Sequence, residues 1–292
     1  GTAGVVDVPN LANIEQKAFY NTALSVLTNR NATVKSLADY AFSVLTQCGT
    51  EANALNFSGF TSLGVMELNA SKVTFEASMT FNATWQEDVV LTSIAFNNSK
   101  TETVDLPIAF VAGVGESVES VTFTGNLMNI PANMFTAFTN PAFTVINLKN
   151  INSVGANAFA NVTNLATLSV YVHNVIDSTA FAGCTGVNSL YIDSATANGI
   201  LTGEFVLRLH ENIRLAQTLT IGENITQIGS GELFDNVIAS YLFYFAPTYL
   251  NILGAVQFSE NMDIISRPLD EGSYFVAAIN AVFLLGYYNY HI

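Results

Sequence analysis

The sequence predicts a repeat solenoid: a right-handed coil of α/β type, mostly strand and irregular chain, in which each turn contributes one short strand and successive strands lie parallel. Three observations predict it. The stretch "VGANAFANVTNLATL", Val154 to Leu168, returns 22 residues later as "IDSTAFAGCTGVNSL", Ile176 to Leu190. Ala158/Ala180, Phe159/Phe181, Ala160/Ala182, Thr163/Thr185 and Leu168/Leu190 are identical between them. Two apolar templates alternate along the chain, and the middle positions Val121, Ile146, Leu168, Leu190 and Leu219 are 25, 22, 22 and 29 residues apart. A unit of this length cannot bury its apolar face alone, so it is stable only with a copy of itself stacked on each side.

The first template is hxxhxh, with h an apolar residue. It occurs as Ala3/Val6/Val8, Leu63/Met66/Leu68, Leu91/Ile94/Phe96, Val118/Val121/Phe123, Phe143/Ile146/Leu148, Leu165/Leu168/Val170, Val187/Leu190/Ile192, Ala216/Leu219/Ile221 and Ile238/Tyr241/Phe243. Its closing hxh puts two apolar side chains on one sheet face and the residue between them on the other, which predicts a short strand in each turn. The second template is an apolar residue followed five later by an aromatic: Ile14/Phe19, Leu37/Phe42, Ile130/Phe135, Val154/Phe159, Ile176/Phe181, Ile200/Phe205 and Leu253/Phe258. It predicts the returning side of each turn, with Phe135, Phe159, Phe181 and Phe205 as a buried ladder. The unequal spacing is read as loop insertion.

These residues divide the chain into a solenoid over 1–258, irregular in 1–117 and regular in 118–258, and a terminal cap over 259–292. Repeats 1–117 are looser: an insertion separates Phe42 from Leu63, Met79/Phe81 lacks a clean partner, and "LPIAF" ending at Phe110 keeps part of the motif. In the cap, Ser273 as N-cap and Gly286 as stop predict a short buried helix over the open end.

The pattern formed by Ile176, Ala180, Phe181, Cys184, Val187, Leu190 and Ile192 resembles the BspA-like leucine-rich repeats, with the fuller match from about Val118 to Phe258. That family occurs in surface and secreted proteins of gut and oral bacteria and of some protozoa. The resemblance implies a right-handed leucine-rich-repeat superhelix and a non-enzymatic role in binding or adhesion to a protein or glycan partner. A solenoid hosts many partners, so the fold alone does not name one. The chain begins "GTAGVVDVP", with no Met and no apolar leader, and the expectation is a secreted or cell-surface, outer-membrane-attached protein whose signal peptide has been removed.

Composition narrows the classes. Acids outnumber bases 23 to 9, for a formal net charge of −14. Phosphate binding needs clustered Lys and Arg, so nucleic acid is excluded as a partner. No run reaches the roughly 18 apolar residues of a membrane helix. Cys48 and Cys184 are far apart and form no CxxC arrangement, which leaves no zinc site or disulfide framework to expect, and no cofactor is expected. Cys184 replaces the Val162 of its sister repeat and is read as a buried small apolar residue. The seven Asn-X-Ser/Thr sequons, among them Asn31, Asn82, Asn161 and Asn224, are close to what composition alone gives.

A catalytic reading finds little to hold. His173, His210 and His291 lack partners at triad or metal spacing. Ser169, His173 and Asp177 are near in sequence but carry no GxSxG elbow. "GVGES" at Gly113 to Ser117 lacks the Lys of a phosphate loop. A β-solenoid carbohydrate-active enzyme, the rival reading, needs carboxylates on adjacent turns; Asp177 falls in register with Gly155 and Asp193 with Tyr171, so they come singly. A structural spacer is the third reading. For binding, the candidate ligand residues are the outward positions Thr122, Asn147, Ser169, Tyr191 and Thr220, with Tyr171 at a strand end. They form a neutral, hydroxyl-rich strip flanked by Ser120, Thr167, Ser189 and Thr218. Seven tyrosines, at 241, 244, 249, 274, 287, 288 and 290, make the C-terminal end a second candidate surface.

Overall fold

Among the described residues, segments that alternate apolar and polar side chains form short strands, and in the computed structural model these pair in parallel, turn upon turn, as a β-solenoid. The structure describes residues 72–81, 84–85, 90–214 and 216–228. It also describes the strands Gly4–Val8, Asn13–Ile14, Leu24–Asn29, Ser36–Leu37, Leu55–Phe57, Ser62–Leu63, Glu67–Leu68, Tyr241–Tyr244, Asn251–Ile252 and Asp263–Ser266. Two units divide the chain: Gly1–Thr144 with Asn150–Ser153, and Val145–Lys149 with Val154–Ile292.

The first unit has a parallel front sheet of Leu55–Phe57, Lys72–Glu76, Ser93–Asn98 and Ser120–Gly125, in that order. Phe57, Phe75, Phe96 and Phe123 share one register column. Phe57 stacks on Phe75 with ring centroids 5.8 Å apart, and Phe96 on Phe123 at 6.0 Å. Leu63/Met66/Leu68 is therefore not the front strand of its turn. Ser62–Leu63 pairs with Thr80–Phe81, and Glu67–Leu68 with Thr84–Trp85, each in a small sheet of its own. Ala52/Leu55/Phe57 and Ala70/Val73/Phe75 fit the same apolar template. Because alanine satisfies it as well as leucine, pattern alone could not choose among three closely spaced matches. At the N-terminal end Gly4–Val8 pairs with Leu24–Asn29, and Ile14 with Leu37.

The second unit has a six-stranded parallel front sheet: Val145–Asn147, Thr167–Tyr171, Ser189–Asp193, Thr218–Ile221, Tyr241–Tyr244 and Asp263–Ser266. Ile146, Leu168, Leu190 and Leu219 are neighbours in that order, as the template predicts. The hxxhxh positions from Leu91 to Ile221 are buried in every copy, none more than 8% exposed. Phe159 and Phe181 stack 5.1 Å apart and 2° from coplanar. Phe135 packs edge-on against Phe138 at 5.0 Å, within the first unit.

Two registers differ from the sequence reading. Leu219 pairs with Leu242 and Ile221 with Tyr244, so Tyr241 and Phe243 hold the register of Thr218 and Thr220 instead. A slip of one residue exchanges the two faces of a strand, and in the unbroken run "YLFY" nothing marks the face. Ile200 is also turned out, 44% exposed, while Gly199 and Leu201 are buried. After it Thr202 caps a short helix, Gly203–Arg208, accepting from the Phe205 backbone N–H at 3.2 Å, and the helix returns Phe205 to the interior four residues after Leu201. Strand Asp263–Ser266 continues the sheet past residue 258. The helix expected at Ser273–Gly286 and five of the seven clustered tyrosines lie outside the described residues.

Strand ends explain the buried polar residues: Glu76, Asn98, Asn174, Asp193 and Ser194 all lie at or just beyond a front strand. Asn98 Nδ2 donates to the carbonyls of Leu127 and Glu102, at 2.8 and 3.0 Å. Asn150 Nδ2 donates to the Phe123 carbonyl at 2.8 Å, and Asn174 Nδ2 to the Leu148 carbonyl at 3.1 Å. Each amide thus satisfies a backbone group of a neighbouring turn where the chain leaves the sheet. Turns also close in tightly: a Cβ at Gly186 would lie 2.1 Å from the Thr163 carbonyl oxygen, so only glycine fits.

Cys184 is buried, and its thiol donates to the Phe159 carbonyl at 3.0 Å. Burial pushes that thiol up to about 11 from an ordinary 9.0. Below pH 9 the thiol is protonated in both folded and unfolded chains and its contribution is intact. Between pH 9 and 11 the unfolded chain ionises first, so stability falls as pH rises, by on the order of 2 kcal/mol. Urea denaturation at pH 8.5 and pH 11 should show that extra loss in the parent and not in Cys184→Ala. Equal losses in the two proteins would exclude it.

Candidate functional site

The candidate site is the outward face of the second unit's front sheet. The hxh pairs that bury Leu168/Val170, Leu190/Ile192 and Leu219/Ile221 leave Ser169, Tyr191 and Thr220 on the opposite face, in register with one another and with Asn147. Asn147 is exposed; Ser169, Tyr191 and Thr220 are half-buried. Val145, Thr167, Ser189 and Thr218 form a second row beside them, in the same strand order. Parallel pairing sets successive members of a row about 4.8 Å apart, so residues from distant parts of the sequence form one strip. The backbone register extends the first row to Phe243 on the next strand. Thr122, the remaining candidate, is exposed on Ser120–Gly125 in the first unit, in register with Ala95 and through it Thr74.

At the strand ends the strip meets a polar cluster. Tyr191 donates its hydroxyl to Asp193 Oδ2 at 2.8 Å. Asp193 also accepts from the Asn224 backbone N–H at 3.0 Å and from Asn224 Nδ2 at 3.2 Å. All three bonds come from neutral donors. Burial, the Asp193 hydrogen bond and the nearby negative charges of Asp193 and Glu223 push the Tyr191 hydroxyl well above its ordinary range. Gly222 makes the arrangement possible: a Cβ there would lie 2.4 Å from the Tyr191 hydroxyl oxygen and 2.2 Å from Asp193 Cγ.

Tyr171 is buried at the strand end, two residues after Ser169 and on the same strand face by parity. Asn147 hydrogen-bonds its hydroxyl, and burial raises its pKa against that bond. Its strand partner is Asp193, the register predicted from sequence. His173 lies beside the Tyr171 ring, centroids 6.0 Å apart, and its Nε2 is 3.4 Å from Asn174 Nδ2. Asp177 is used elsewhere: its Oδ1 accepts from the Thr179 hydroxyl at 2.6 Å and backbone N–H at 2.9 Å, and these bonds hold its pKa below the usual carboxylate range. Ser169, His173 and Asp177 thus serve three separate local structures. Among the described residues no group of three or more His, Cys, Asp and Glu could hold a metal ion.

The Tyr191–Asp193–Asn224 cluster was not legible from templates, because Asp193 reads as the polar residue ending a strand. Asparagines at or just beyond the ends of the front strands, Asn98, Asn126, Asn150, Asn174 and Asn224, are the signal a search limited to apolar positions passes over.

Among known families, the BspA type leucine-rich repeat region matches residues 5–80 and 92–205, in 6 copies. No curated protein and no solved structure matches the chain. Among the described residues no helix is long and apolar enough to cross a membrane.

Proposed function

The chain belongs to the BspA type leucine-rich repeat family, and from that premise we propose that it is a non-enzymatic binding protein, secreted or held at a cell surface, which takes its partner on the front strip of the second unit. Repeat proteins of this kind typically bind proteins, and the family is generally non-enzymatic and typically found on bacterial surfaces or secreted. The observation that carries the reading is the row Asn147, Ser169, Tyr191 and Thr220, brought together by register and free of charge. Neutral hydroxyls and amides can meet a polar partner without the desolvation cost of burying an ion. A glycosidase would need two carboxylates flanking the scissile bond. Asp193, the buried acid at the strand end beside the strip, has both oxygens held by Tyr191 and Asn224, which favours a structural role.

The test is a screen of the purified chain against extracellular proteins and glycans, followed by titration of Tyr191→Ala and Asn147→Ala against the ligand found. Tyr191 is the expected anchor, because buried aromatic side chains dominate interface energetics, and its loss should weaken binding by at least tenfold, about 1.4 kcal/mol. Unchanged affinity in both variants, with circular dichroism intact, would move the site to the C-terminal tyrosines or the loops.

A further inference from the structure

Tyr191 is a tyrosine whose hydroxyl is committed. The bond to Asp193, two residues on along the same strand, draws the ring down along the sheet instead of letting it stand off, and the missing side chain at Gly222 makes room for the hydroxyl. The side chain remains half-exposed. A fixed aromatic face with its polar end already satisfied offers a surface for apolar C–H groups rather than a hydrogen bond to a ligand. On the flanking strands the same row offers Ser169 and Thr220 in register. The second row supplies Thr167, Ser189 and Thr218 beside them. In a chain of net charge −14, this strip has no charged member.

We propose that this strip is a platform for a neutral, linear β-(1→4)-linked glycan, with one sugar ring stacked on the Tyr191 ring and its neighbours hydrogen-bonded by Ser169 and Thr220. The proposal rests on the front-strip reading above and names its ligand class. A pyranose of this linkage presents C–H groups on its faces and equatorial hydroxyls at its edges, matching an aromatic face bordered by hydroxyl side chains. Spacing favours it over a peptide. Strands repeat every 4.7–4.9 Å, close to the repeat of sugar rings along such a chain, whereas an extended peptide laid across the strands presents the same side every two residues, about 6.7 Å, and falls out of step. The negative charges of Asp193 and Glu223 close to Tyr191 disfavour anionic polysaccharides.

The experiment is calorimetric titration of the full chain with cellohexaose, mannohexaose and chitohexaose, with polymannuronate, which shares the β-(1→4) linkage, as the anionic counterpart. At least one neutral hexasaccharide should bind saturably and polymannuronate should not. Tyr191→Ala should weaken that binding by about tenfold or more, and Tyr191→Phe, which keeps the ring, by much less. If Tyr191→Ala does not fold, Thr220→Val serves in its place and should weaken binding several-fold. The proposal is overturned if none of the three hexasaccharides binds, if polymannuronate binds as well as they do, or if the variants bind like the parent. A protein ligand lost in Tyr191→Ala, with no glycan bound, overturns the glycan and leaves the front-strip reading standing. A ligand indifferent to Tyr191 and Asn147 removes both.

Discussion

Phe159→Ala is expected to lower the unfolding free energy by about 3 to 5 kcal/mol, the range for deleting a buried aromatic ring. Phe159 is fully buried and stacks on the equivalent residue of the next turn, Phe181, at 5.1 Å. The backbone around it is fixed: its N–H donates to the Ala180 carbonyl at 2.8 Å, and its carbonyl accepts the Cys184 thiol. With the backbone pinned from two sides the turn cannot collapse into the space left, so the cavity cost adds to the lost transfer energy. In a solenoid each turn's stability lies largely in its interfaces with its neighbours, so the loss reaches Phe181 as well. Urea denaturation followed by circular dichroism measures it. Val175→Ala on a neighbouring exposed strand position, 56% accessible, should stay within about 0.5 kcal/mol of the parent. A Phe159→Ala variant as stable as Val175→Ala would mean that the ring is not part of the interior.

Legibility in the sequence follows how much apolar contrast each segment carries. Around Leu168, Leu190 and Leu219 large aliphatic residues alternate with hydroxyl residues, and strand, face and register all follow from that contrast. In "YLFY" every residue is apolar or aromatic, so the strand is legible and its face is not. Between Ala52 and Phe75 alanine fills the template and three matches compete; the paired strands are Leu55–Phe57 and Lys72–Glu76. The helix Gly203–Arg208 does carry a local signal, a capping threonine with Glu204 in its first turn and Arg208 in its last, but an expected aromatic five residues on from Ile200 masks it. At the candidate site the row follows from strand parity. The bond between Tyr191 and Asp193 does not, because it depends on how the chain leaves the sheet and on the room that Gly222, 29 positions further on, leaves for it.

Asn174→Ala should cost about 2 to 4 kcal/mol, although it removes no apolar surface to speak of. Its side chain is buried, its Oδ1 accepting from the Tyr171 backbone N–H at 2.6 Å and its Nδ2 donating to the Leu148 carbonyl at 3.1 Å. Alanine deprives both backbone groups of that partner in a place closed to bulk water, at roughly 1 to 3 kcal/mol for each group left unmatched. Asn174→Asp should be no milder: it can still accept from Tyr171, but it turns an acceptor toward the Leu148 carbonyl and adds a buried charge. The consequence reaches the ligand face, since Tyr171 ends the strand that carries Ser169 and hydrogen-bonds Asn147 through its hydroxyl. Amide hydrogen exchange should therefore rise over 167–174 and at Leu148, beyond what the global loss of stability explains. Exchange unchanged there, with stability within about 0.5 kcal/mol of the parent, would show that the asparagine amide is not what closes the strand end.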